Sequence, residues 1–127
     1  MNQETTFDYQ AYLDHLEEAI YWHLAWQNRL MGALLCGRAF EDTGHQHCHF
    51  GRWFNGAPCP PGRESEIAEL AGLHVRLHET ATDLLQSHEK CSGVDASAFA
   101  EFEEAQSLFF GTLHGLFRTV LSDACQG

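Results

Sequence analysis

No apolar run in this chain approaches the roughly 20 residues that a membrane-spanning helix needs. The N-terminus, Met1-Asn2-Gln3-Glu4, is polar and acidic, and no basic stretch leads into an apolar one, so no secretory leader is expected either. Positive charge is scarce. Seven Lys plus Arg stand against 18 Asp plus Glu, a formal net charge of −11, which argues against nucleic acid and anionic membrane surfaces as partners. Proline is nearly absent: all three lie within Asn55-Gly56-Ala57-Pro58-Cys59-Pro60-Pro61-Gly62, and no helix crosses that stretch. No segment alternates with period two for long enough to make a strand, and neither an internal repeat nor a low-complexity tract is present. An even cysteine set is missing too. Cys36, Cys48, Cys59, Cys91 and Cys125 make five, which disfavours a disulfide framework and gives weight to metal or redox roles in a cytoplasmic protein.

What is there is a foldable helical chain. Its 127 residues suit one domain, 1–127, and 44% apolar and 12% aromatic content supply a core. Leu13, Leu16, Ile20, His23, Leu30 and Leu34 recur at helical steps, which predicts a helix from about Asp8 to Cys36, ended by the breakers from Gly37 to Gly44. A second long helix is expected from about Glu64 to Lys90, on Ile67, Leu70, His74, Leu77, His78, Ala81, Leu84 and Leu85, with Gly93 as its cap. A third runs from about Ala96 to Ala124 on Phe99, Phe102, Phe109, Leu113, Leu116, Phe117 and Val120, with Asp95 as N-cap. Cys48 to Phe54 reads as one short helix. The expected fold is an all-α antiparallel four-helix bundle of three long helices plus a short one carrying the cysteine.

The polar residues on the apolar stripes carry the chemistry. His23 lies in line with Ile20 and Leu30, and His74 and His78 leave one helix face four residues apart, beside Leu70, Leu77 and Ala81. A lone histidine on such a face is more often a hydrogen-bonded core residue. Three in one core are costly to bury unless something satisfies them together, and a metal does so on one ring nitrogen of each. With Cys48 as the fourth donor, three imidazoles and a thiolate form a set that Zn²⁺ prefers and that fills a tetrahedral site. Such a closed site argues for sensing or structure over catalysis. His45, His47 and His49 flank Cys48, but on a short helix His47 and His49 point about 100° away from it, so they read as solvent-side. His15, His88 and His114 have no partner at metal spacing.

His23-x-x-Trp26, 21 residues, Cys48-x-Phe50-Gly51-x-Trp53, 20 residues, then His74-x-x-x-His78 resembles the signature of the bacterial chemoreceptor zinc-binding (CZB) domain family. The resemblance implies zinc ligands at His23, Cys48, His74 and His78, packing positions at Trp26, Phe50, Gly51 and Trp53, and a cytoplasmic sensory module that pairs as a homodimer. It further implies control of a chemoreceptor or diguanylate cyclase output domain, and for some members a response to oxidants through the zinc-bound cysteine. No such output domain is encoded in these residues, and the early first ligand resembles the arrangement placed N-terminal to a cyclase. Tyr12, Trp22 and Trp26 on the first helix, with Phe110 and Leu121 on the third, widen the apolar face, which suggests a second packing surface or a larger internal core.

Three rivals are weaker. A zinc hydrolase wants a Glu directly after the first histidine of the helical pair, whereas here Val75 follows His74, and Glu79 follows His78 instead. A haemerythrin-like di-iron bundle needs bridging carboxylates on neighbouring helices, and none pairs with His114. A metal-free interaction bundle is the third.

Overall fold

The computed structural model describes residues 6–38, 40, 48–91 and 94–126, with the side chains of 89–91 left aside. Four helices follow in chain order: α1 (Tyr9–Cys36), α2 (His49–Phe54), α3 (Glu64–Cys91) and α4 (Ala96–Gln126). Among the described residues there is no strand. The expected bounds of all four helices agree to within one or two residues. The expected cap at Gly93, and His45 and His47, lie outside the described residues.

The helix ends follow from their local chemistry. Asp8 caps α1, its Oδ1 accepting from the Ala11 N–H at 3.1 Å. One residue earlier Phe7 packs its ring on Tyr12, with centroids 5.5 Å apart, in the manner of a hydrophobic staple. α1 stops at Gly37, whose φ of 70° closes an αL cap with its N–H on the Ala33 carbonyl at 3.2 Å. The proline-rich turn before α3 ends with Gly62 at φ 77° and the Arg63 N–H on the Pro60 carbonyl at 3.1 Å. Glu64 and Glu66 in the first turn of α3 suit the positive end of its dipole. The Asp95 carbonyl accepts the Phe99 N–H at 2.9 Å, which opens α4 at the predicted N-cap.

Ring and ion-pair contacts set the directions. His23 and Trp26 of α1 meet Phe109 and Phe102 of α4 respectively, so these two helices are antiparallel. Arg63 just before α3 meets Asp123 near the end of α4, and His74 meets Phe109, so α3 and α4 are also antiparallel. α1 and α3 therefore run the same way. α2 descends between them, with Phe50 at the level of His23 and Trp53 at the level of Tyr12. The result is an up-down-up-down bundle in which a six-residue helix stands in for a full second one.

The core is continuous along this bundle: Leu16, Leu30, Phe50, Leu70, Leu77, Leu84, Phe102, Phe109, Leu113 and Val120 are sealed from solvent. Tyr12 and Trp26 are 4% and 5% exposed, so they belong to the internal core and not to a second surface. Trp22 and Phe110 are half-buried, and Leu121 is exposed. At the far end Arg63 grips Asp123 through two bonds, Nε to Oδ2 and Nη2 to Oδ1, each 2.8 Å, and donates a third to Glu66. This fork ties the entrance of α3 to the exit of α4. The Arg63 hydrogen bonds hold the Asp123 carboxyl below the usual carboxylate range.

Candidate metal centre

The two long helices that carry histidine bring them to mid-height in the bundle. His23 lies 15 residues into the 28-residue α1, counting from Tyr9, and His74 and His78 lie 11 and 15 residues into the 28-residue α3, counting from Glu64. All three are buried, at 1%, 3% and 3% exposure. Their rings form a triangle with centroids 4.8–5.5 Å apart, each nearly perpendicular to the next.

Cys48 closes the set from α2. Its Sγ lies 3.2 Å from His74 Nε2 and 3.8 Å from His23 Nε2. The four candidate ligand atoms all lie within 4.8 Å of one another. A tetrahedral zinc with arms of about 2.0–2.1 Å to nitrogen and about 2.3 Å to sulfur has edges of about 3.3–3.6 Å. The observed spacings bracket that range, so a cation at the centre asks only for rotamer-scale shifts. The chemistry of the donor set fits as well, since three neutral imidazoles and one thiolate give a dication a net site charge of about +1.

Cys48 has a second task that its sequence position did not reveal. It is the N-cap of α2, not its first helical residue: φ and ψ are −73° and 162°, and its Sγ accepts the Gly51 N–H at 3.2 Å. The sulfur that faces the histidines thus also holds the first turn of the short helix.

Aromatic rings wall the three histidines. Phe50 lies 4.7 Å from His74 and 5.7 Å from His23, Phe109 lies 4.8 Å from His23 and 5.6 Å from His74, and Trp26 lies 4.7 Å from His78, all between centroids. α4 thus contributes no donor but supplies the apolar wall, a role its Phe stripe implied only as general core. Thr82 hydrogen-bonds the His78 carbonyl at 3.0 Å, which anchors the turn after the last histidine. Among the described residues no carboxylate belongs to the cluster, which removes the bridging ligands that a di-iron centre requires.

The other candidate residues stay outside. His49 is exposed and meets Trp22 edge-on, His15 is exposed with its Nδ1 donating to the Ala11 carbonyl at 2.9 Å, and His114 is exposed at the edge of Phe110. Cys36, Cys59 and Cys125 are free and exposed. Partial desolvation and then the carboxylates of Glu64 and Glu66 push the Cys59 thiol up.

Four helices around a three-histidine, one-cysteine donor set describe a module able to hold a metal. Residues 23–85 match the sequence model of the chemoreceptor zinc-binding domain, from the first histidine to just past the last, and over those residues the chain belongs to that family. The family is defined by zinc binding and not by a reaction. In fold the chain is similar to a solved structure described as the regulatory CZB domain of DgcZ, with a TM-score of 0.77 at 20% identity, over 90% of this chain and 99% of that one. No curated protein matches the chain. Among the described residues no helix is long and apolar enough to cross a membrane.

Proposed function

We propose that residues 1–127 form one zinc-responsive regulatory domain of bacterial signal transduction, in which His23, Cys48, His74 and His78 hold a single Zn²⁺. The observation that carries this reading is the convergence of donors from three separate segments, α1, the start of α2 and α3, within 4.8 Å inside an aromatic shell. Zinc there would clip the short element to the two long helices and complete the donor tetrahedron. Structural zinc in small domains contributes on the order of 10–16 kcal/mol at neutral pH, so occupancy is a strong lever on α2. That helix has only six residues and depends on the Cys48 sulfur for its cap, so it loosens first when the metal leaves.

The output follows from what such a change can move. The domain works in the cytoplasm as a homodimer, coupled to a chemoreceptor or to a diguanylate cyclase in cyclic-di-GMP control. The dimer reading is supported by an outward stripe on α1: Tyr21, Leu24 and Leu35 are 64%, 43% and 75% exposed and lie within one narrow sector of the helix. α2 packs against that same helix, so a metal-dependent shift of α2 is transmitted to the face where two copies would pair.

The test is metal analysis of protein purified without added metal. Near-stoichiometric zinc is expected, lost when Cys48→Ser and His78→Ala are combined. A metal-free wild-type protein, or a double variant that keeps its zinc, refutes the assignment.

A further inference from the structure

α4 gives the metal centre no donor, yet it carries one polar side chain turned inward beside it. Gln106 lies on α4 one turn before Phe109 and Phe110. Both of those rings touch His23, with centroids 4.8 and 6.3 Å from it. At about 100° per residue, Gln106 leaves the helix in the sector between them, about 60° from Phe109 and about 40° from Phe110. One turn further back Phe102 meets Trp26 at 6.2 Å. Because α1 and α4 are antiparallel, Gln106 faces the stretch of α1 from His23 to Trp26. Gln106 as a whole is half-buried, but its Oε1 is sealed from solvent and takes no hydrogen bond among the described residues. A sealed carbonyl with no donor is costly, so such an atom calls for an explanation. Its neighbours on α4 with side-chain oxygens, Glu103, Glu104 and Ser107, are all exposed.

His23 supplies that explanation. Its Nε2 is the nitrogen on the side of Cys48, 3.8 Å from the sulfur. A neutral imidazole that gives Nε2 to a metal keeps its proton on Nδ1. The two nitrogens point in well-separated directions, so that proton is directed out of the donor cluster. Nδ1 of His23 is itself sealed from solvent, so bulk water does not reach it. An acceptor on the second nitrogen fixes the ring of a metal-bound histidine and makes it a better ligand. Trp26 Nε1–H is the competing donor, sealed and with no acceptor among the described residues. A dication on Nε2 polarises the imidazole and makes its remaining N–H the stronger donor of the two. We infer that the Gln106 carbonyl accepts the Nδ1 proton of His23 when zinc holds Nε2, so that Gln106 is a positioning residue and zinc affinity depends on α4.

This inference rests on the zinc reading, and its failure can be told from the failure of that reading. Wild type, Gln106→Leu and Gln106→Glu are compared by chelator competition for zinc and by NMR of the imidazole and indole N–H protons. Leu keeps the bulk and the helix propensity but removes the acceptor, so zinc should bind about tenfold more weakly and the His23 Nδ1–H should exchange faster with solvent. Glu keeps an acceptor, so zinc should stay within about threefold of wild type with that proton protected. In chelated protein the Leu variant should unfold no earlier than wild type. Unchanged zinc affinity in the Leu variant, or equal weakening in both variants, overturns the proposal. A Leu variant destabilised equally with and without zinc acts through packing and overturns it too. So does one that moves only the Trp26 indole proton, since the amide then serves Trp26. A wild type that holds no zinc overturns the zinc reading itself, and this inference with it.

Discussion

The double role of the Cys48 sulfur can be pulled apart with two substitutions and one chelator. Cys48→Ser keeps an N-cap, since a hydroxyl serves the Gly51 N–H well, but it removes the thiolate that zinc prefers. Cys48→Ala removes both. In chelated protein, therefore, Ser should match or slightly exceed wild type, whereas Ala should lose about 1 kcal/mol for the missing cap. For a domain of this size that is a fall in Tm of about 3–5 °C. With free zinc near 1,000 times its dissociation constant, wild type should gain about 4 kcal/mol, or more than about 10 °C, and neither variant should gain comparably. Thermal unfolding followed by circular dichroism, with zinc and with chelator, gives all six values. A serine variant with the full zinc-dependent gain refutes ligation by Cys48. An alanine variant as stable as serine without metal refutes the cap.

Other expectations follow from single contacts. Phe109 is sealed from solvent and touches His23, His74 and Phe50, so Phe109→Ala should cost about 3–5 kcal/mol in urea unfolding and speed loss of zinc to a chelator; a cost under about 1 kcal/mol would contradict its place in the wall. Asp123 is held below its unfolded pKa by Arg63, so its contribution is present above about pH 4 and is lost as pH falls through the folded value. The stability gap between wild type and Asp123→Asn should therefore hold from pH 7 to pH 5 and shrink by pH 3, and a gap that widens on acidification contradicts the bridge. Leu24→Glu with Leu35→Glu should shift sedimentation from dimer to monomer while helicity and zinc content stay unchanged; dimers that persist exclude this face. Because Cys48 is half-buried and not sealed, hypochlorous acid should oxidise it and release zinc in step, and zinc retained by an oxidised protein would count against a redox role.

Much of this architecture is written locally. Helix ends depend on residues within a turn of them, so Asp8, Gly37, the Pro58–Pro61 breaks and Asp95 announce α1 to α4 in one dimension. The donors were legible for a related reason. A histidine on an apolar stripe must be satisfied inside, and three of them with one cysteine leave few ways to do it. The periodicity of a helix says that a face is covered, but it does not say by what. Only the tertiary structure makes α1 and α3 run the same way and sets Phe109 as the wall of the centre, while Arg63 meets Asp123 across 60 residues. It also turned Cys48 from a helical residue into a cap, with a ψ of 162° and its Sγ on the Gly51 N–H. Tyr12 and Trp26, which the sequence left between core and surface, were assigned to the core by the same means. The sequence by itself determined the helices and the identities of the donors, since both rest on short-range spacing and side-chain chemistry. Which rings enclose those donors, and which apolar face is left over for a partner, was decided by long-range packing, where distant segments compete for the same neighbours.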